Sequence, residues 1–270
     1  MVNPLEKLSE EIDELLKGFE STAMHGDLYG AGVTQYTFWM FVAVILMLVV
    51  VFVFKKKQRS HGLVPKGRFV NGIEFLVEYC RDDMCKGLLG DSWRRHFPFI
   101  ASLFFFILFN NLVGVIPGCK PGTGCIGTTA AVALVSFIYF IVMGVKAKGP
   151  IGYIKSLAPA GVSFPMNALV WCIELLSTFL RLVTLAVRLF CNLFAGHVVM
   201  GAFAILASLF FIPLLQGFSV QALGMAGASV FWLAILLVIY AVEIMVAAIQ
   251  AYVFTLLTAV YVQLAEAEEH

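Results

Sequence analysis

The chain has 270 residues, 61% of them hydrophobic and only 13% charged, against roughly 45–50% and about 25% for an ordinary soluble domain. That balance excludes a disordered chain, a nucleic-acid binder and a typical soluble enzyme, and a formal charge of +1 selects neither an acidic nor a basic partner. Between Ser156 and Ala265 only Glu174, Arg181, Arg188 and Glu243 carry charge, so the chain reads as an integral membrane protein whose few intramembrane charges are the functional question.

The first nineteen residues have no basic start and no apolar run, so they do not read as a signal peptide. Leu5, Leu8, Ile12, Leu15, Leu16 and Phe19 recur at helical spacing among acids, which predicts a helix lying at the membrane interface. Three spans follow: Tyr36–Phe54, Phe97–Pro117 and Ile126–Val145, each close to the ~20 residues that cross the hydrocarbon. Residues 55–96 hold ten Lys and Arg, residues 118–125 one and residues 146–156 three, whereas residues 1–35 hold two Lys against seven acids. The positive-inside bias therefore predicts an external N-terminus and a cytoplasmic C-terminus.

The remainder does not fit simple spans. A helix from Leu182 to Leu215 has 34 residues and is about 50 Å long, so it must tilt, kink or protrude. Val220–Ala265 is longer still, and Gly217 and Ser219 after Pro213 predict a turn between the two. The expected fold is an all-α integral membrane protein of one domain, 1–270. It comprises an external amphipathic segment (1–35), about three transmembrane helices with loops (36–155), and a long tilted two-helix hairpin with the C-terminus (156–270).

Glu174, Arg181 and Arg188 are seven apart, so on a continuous helix they share one stripe, which Asn192 rejoins. A polar stripe on an apolar helix faces protein or water rather than lipid. Arg188 has no acid within a helical turn, and its bland alternative is snorkelling to the headgroups. Glu243 and Gln250 are also seven apart. In an antiparallel hairpin turning near Ser219, Arg188 falls level with Gln250 and His197 level with Glu243, the two levels about 13 Å apart along the helix. His197 lies nearly opposite Arg188 on the helical wheel, so the two serve different environments. Each residue alone reads as a satisfied buried polar group; together in hydrocarbon they read as a proton path.

The six cysteines show no zinc-type spacing. Cys119 and Cys125 bracket a short loop placed outside, where a disulfide and two free thiols are both open readings. No nucleotide loop, metal site or nucleophilic triad is present in the sequence, so no enzyme chemistry and no cofactor are expected.

At this point a resemblance is plain. Arg188-Leu189-Phe190-Cys191-Asn192-Leu193-Phe194-Ala195-Gly196-His197 resembles the signature of subunit a of F-type ATP synthases. Glu243 with Ile249-Gln250-Ala251-Tyr252-Val253-Phe254-Thr255-Leu256-Leu257-Thr258 resembles the family's C-terminal signature. Phe104–Gly118, with Asn110, Asn111 and Ile116-Pro117-Gly118, is similar to its second-span motif. The resemblance implies a non-catalytic proton-channel subunit with two offset aqueous half-channels beside a rotating c-subunit ring. Arg188 is then the essential arginine facing the ring carboxylate, with Gln250 near it. His197 and Glu243 occupy positions where members hold a His and an acid, and Glu174, Ser177 and Asn192 line the channel. The implied partners are the c-ring, b-type peripheral stalk subunits, the remaining ATP synthase subunits and the lipid bilayer, with no nucleic acid. The implied location is a bacterial inner membrane, with an organellar energy-transducing membrane as the alternative. Leu182 stands where many members have proline and Cys191 where glycine or alanine is common, which bears on how the helix starts and packs. The alternative function is a proton-coupled secondary transporter, built on inverted repeats that the sequence does not display.

Overall fold

The computed structural model describes residues 4–18, 23–25, 33–61, 67–156, 166–216 and 220–267. Helix α1 (Pro4–Lys17) precedes a minimal antiparallel pair, β1 (Ala23–His25) and β2 (Val33–Thr34), and every described residue after it is helical or connecting. Helix α2 (Gln35–His61) exposes Phe41, Ile45, Leu48 and Phe52; an apolar surface of this kind belongs in lipid. Among the described residues, five helical stretches are long and apolar enough to cross a membrane: Gln35–Lys57, Arg68–Val115, Ile126–Lys148, Leu169–Ile212 and Gly227–Glu266. The all-α membrane architecture expected from the sequence therefore stands.

The second of these stretches begins well before the predicted span. Residues 68–92, read from their charge as part of a basic loop, form α3 (Arg68–Tyr79), a π-helical turn (Cys80–Lys86), the single turn α4 (Gly87–Leu89) and a 3₁₀ turn (Gly90–Ser92), leading into α5 (Trp93–Val115). Val70, Ile73, Val77, Cys80 and Met84 form an apolar stripe at alternating steps of three and four, and Cys80, Met84 and Cys85 are wholly buried. The charges that suggested a loop lie on the other face, where Arg81 bridges Glu78 and Asp82, and Lys86 pairs with Asp82 at 2.6 Å. Such exposed pairs contribute little to stability; the buried stripe holds the segment in place.

Helix α6 (Ile126–Lys148) ends where Gly149 takes a φ of 76°, a left-handed conformation that favours glycine, and its N–H donates to the Val145 carbonyl at 2.8 Å. Pro150 then opens the short helix α7 (Pro150–Lys155), a position where its missing N–H costs nothing. All six cysteines are free thiols, Cys119 and Cys125 among them, and desolvation raises the Cys119 thiol above its ordinary value.

Helix α8 (Met166–Gln216) has 51 residues and α9 (Val220–Glu266) has 47, about 76 and 70 Å at 1.5 Å per residue. Helix α8 thus starts sixteen residues before the predicted Leu182 and runs through it unbroken, so Glu174, Arg181 and Arg188 share one rod. The two helices pack antiparallel: Ser229 Oγ donates to the Ala207 carbonyl at 2.7 Å, and Trp232 lies against Phe203 and Phe210. The Ser229–Ala207 pair is centred on residue 218, close to the predicted turn at Gly217–Ser219, which lies outside the described residues. Buried Ala247, Ala251 and Ala259 give α9 a small-residue face, which lets neighbouring helices approach closely without lipid between them. Phe104, Ile107, Leu185, Leu189 and Phe254 form one core cluster; Ile100, Phe140 and Val262 belong to a second. Near the end of α9, fully buried His96 joins three helices, with Nδ1 2.9 Å from Tyr139 Oη and Nε2 3.2 Å from Glu266 Oε2.

Candidate functional site

The polar residues are distributed along the α8–α9 hairpin, and its two ends are here called the tail end (near Glu266) and the turn end. At the tail end, Arg181 donates to Glu174 at 2.8 Å across two helical turns, and its guanidinium lies over the Tyr261 ring at 5.2 Å. The sequence placed these two charges on one stripe, and the stripe closes on itself as an ion pair. Both line a cavity of 330 Å³ together with Lys148, Tyr153 and Thr178. Ser177, expected to line the channel, is half-buried; the hydroxyl in this cavity belongs to its neighbour Thr178.

Seven residues further along α8, Arg188 is exposed, at the edge of the buried stripe of Leu185 and Leu189, which are 2% and 0% exposed. Among the described residues it makes no hydrogen bond or ion pair. Asn192, one turn on, is half-buried. On the facing helix Gln250 is 7% exposed, and its Nε2 has no hydrogen-bond partner among the described residues.

Between Gln250 and Glu243 lies a polar group that the hairpin reasoning did not assign. Asn111 Nδ2 of α5 donates to the Ala247 carbonyl at 3.4 Å, about one turn from either residue, and Asn111 Oδ1 accepts from Thr123 Oγ1 at 3.0 Å. Asn110 turns its Nδ2 back to the Phe106 carbonyl at 2.9 Å. Two adjacent, fully buried asparagines in an otherwise apolar span were the available signal, because such amides persist in hydrocarbon only with partners.

At the turn end, Glu243 is 8% exposed, and its carboxylate lies directly against Gly196, where a Cβ would overlap it. Glu243 Oε1 has no hydrogen-bond partner among the described residues. The next residue, His197, points Nε2 towards Gly114 and the α5–α6 connection. The register therefore brings Glu243 to the level of His197, as the sequence predicted, and the Glu243–Gly196 contact is centred between residues 219 and 220. His197 opens onto a cavity of 340 Å³ whose walls include Leu15 and Gly18 of the N-terminal segment, Lys120, Gly201 and Tyr240. Leu15 fills the space above Gly201, and Lys120 Nζ donates to the Gly18 carbonyl.

The Gly196 contact has a direct test. Gly196→Ala is expected to destabilise the protein by about 1–3 kcal/mol, the usual range for overpacking, seen as a lower unfolding midpoint of the purified protein. In a Glu243→Ala background the same change should cost nothing, because the space is vacated. Equal costs in both backgrounds would mean that the carboxylate does not occupy this position.

Two separate cavities of similar size thus flank Arg188 on one continuous helix. On α8 the tail-end cavity is lined from residues 170–181 and the turn-end cavity from residues 197–204, about 10–27 Å and 13–24 Å from Arg188 along the axis. Between them lie Asn192 and, on α9, Gln250.

A protein-family profile described as ATP synthase A chain matches residues 37–263. Over 219 residues the chain is 38% identical to a Bradyrhizobium diazoefficiens protein named ATP synthase subunit a, covering 80% of this chain and 84% of that one. It is 34% identical over 235 residues to a protein of the same name from Chlorobium phaeobacteroides, covering 87% of this chain and 65% of the relative. A Myxococcus xanthus protein, also named ATP synthase subunit a, is 32% identical over 239 residues, with 88% and 74% covered.

Proposed function

The chain belongs to the ATP synthase A chain family, and on that premise we propose that it is the stationary proton-channel subunit of an F-type ATP synthase membrane sector. The observation that carries the reading is the pair of separate cavities flanking an exposed Arg188 that lacks an ion-pair partner among the described residues. An exposed guanidinium on an apolar helix needs a counter-charge from outside the chain, and a carboxylate on a rotating c-ring supplies one.

A ring carboxylate is neutral in lipid because burial disfavours its charged form. Opposite Arg188 it ionises, since the cation offsets that cost. The proton it releases leaves by one half-channel, and the next proton arrives by the other. Arg188 is effectively always protonated, so it favours release from the arriving carboxylate and blocks a direct leak between the halves. The turn-end cavity, continued inward by His197, Glu243, Asn111 and Gln250, forms the half-channel on the external side. The tail-end cavity, with Glu174, Ser177 and Thr178 near its polar wall, forms the cytoplasmic one, and Asn192 stands between them beside Arg188. This assignment follows from an external N-terminus and a cytoplasmic C-terminus in a bacterial inner membrane. Each proton carries roughly 2.3 kcal/mol per 100 mV of membrane potential, and several together drive one ATP made elsewhere in the complex. The subunit itself performs no covalent chemistry; b-type stalk subunits and the remaining synthase subunits hold it against the ring's torque.

Purification from native membranes tests the assignment. The chain should co-isolate with a ring of small hairpin proteins, and proton flux should require that ring. A chain that conducts protons alone after reconstitution would identify a carrier instead.

A further inference from the structure

One further cavity belongs to neither half-channel. A groove of 790 Å³ runs between α6, α7 and α8, lined by Phe137, Ile141 and Val145, by Ile154, and by Cys172 and Leu176. Its walls are almost wholly carbon, so water has no partners there, yet within a bilayer the space must be filled. At its α7 end two lysines directly follow lining residues in the chain, Lys146 after Val145 in the last turn of α6 and Lys155 after Ile154 in the last turn of α7, whereas Lys148 lines the tail-end cavity. No Asp or Glu occurs anywhere from residue 126 to 155, and Glu174 on the facing helix is already engaged by Arg181. At the same level Trp171 Nε1 donates to the Ile154 carbonyl at 3.2 Å, and tryptophan with one wet edge marks the headgroup region of a membrane.

We infer that this groove is a binding site for an anionic phospholipid, with an acyl chain along α6 and α8 and the phosphate at Lys146 and Lys155. Basic pockets at the ends of transmembrane helices select lipid by headgroup charge, while the apolar groove secures the chain by contact area. The site also adjoins the tail-end cavity, since Tyr153 and Thr178 line both. Tyr153 is fixed in that position by Gly144, where a Cβ would collide with its ring. A chain in the groove therefore completes the wall that separates the aqueous cavity from the hydrocarbon. This last consequence rests on the function proposed above; the binding itself does not.

The test uses the whole complex, reconstituted in phosphatidylcholine vesicles that contain either a photoreactive phosphatidylglycerol or a photoreactive phosphatidylcholine with the same labelled chain. Crosslinks are mapped by peptide. Phosphatidylglycerol should label residues 137–145 and 172–179 in preference to phosphatidylcholine, by about fivefold for each lysine engaged. The Lys146→Gln, Lys155→Gln double variant should lose most of that preference. Labelling of the exposed face of α2 should not change, which controls for assembly. Equal labelling of the groove by both probes would overturn the inference. So would an unlabelled groove in which Cys172 instead crosslinks to another polypeptide, because the occupant would then be a protein helix. The readout does not depend on proton flux, so a complex that fails to conduct is still labelled if the site exists.

Discussion

Arg188→Ala is expected to abolish coupled ATP synthesis while leaving the complex assembled. Removing one partner of a desolvated charge pair costs about 3–5 kcal/mol; applied to the proposed step in which a ring carboxylate ionises, that is a loss of more than about a hundredfold. Assembly should survive because the side chain is exposed, whereas the buried Leu185 and Leu189 carry the packing. Lysine should rescue poorly, since a compact ammonium neither reaches nor hydrogen-bonds as the planar guanidinium does. The measurement is respiration-driven ATP synthesis in inverted membrane vesicles, normalised to assembled complex. Normal synthesis by an assembled Arg188→Ala complex would falsify the role.

The second expectation concerns the turn end. His197→Glu and Glu243→His, each alone, should lower proton-driven synthesis about tenfold or more, and the double exchange should recover a measurable part. Either single change places two like groups at one level of the hairpin, and each unit of pKa displacement removes about tenfold from the population in the working protonation state. The exchange restores one acid and one imidazole to the same proposed half-channel. Recovery should be incomplete, because Gly196 is cut to fit a carboxylate arriving from α9 and an imidazole there is bulkier. Assembly is checked first, since an uncompensated buried charge can prevent folding. Losses that simply add in assembled complexes would show that the two residues do not interact.

The hairpin was legible because hydrocarbon makes charge conspicuous: four charges in more than a hundred residues left little choice about which to examine. The antiparallel register followed from matching levels, and the Glu243–Gly196 contact and the Ser229–Ala207 hydrogen bond bear it out. The Glu174–Arg181 ion pair was half legible. Seven-residue spacing predicts a shared stripe, but whether two long side chains close across two turns depends on the Tyr261 ring that holds the guanidinium. Residues 68–92 were misread for the converse reason: a dense run of charge masked a buried apolar stripe, and charge density says nothing about which face it occupies. Asn111 lay beyond the hairpin reasoning because its partner, the carbonyl of Ala247, is backbone and leaves no mark in the sequence. His96 and Glu266 are 170 positions apart, and only the packing of α5, α6 and α9 brings them together.

The continuity of α8 has a mechanical side. A helix with no break over 51 residues behaves as a beam, and this one is clamped on both sides of Arg188. Towards the tail end the Arg181 guanidinium rests on Tyr261 of α9; towards the turn end Ser229 of α9 is pinned to Ala207. A lateral push on the Arg188 side chain is then resisted by flexing the whole clamped length rather than by a hinge. In the stator role proposed above, such stiffness keeps displacement in the turning shaft and out of the housing.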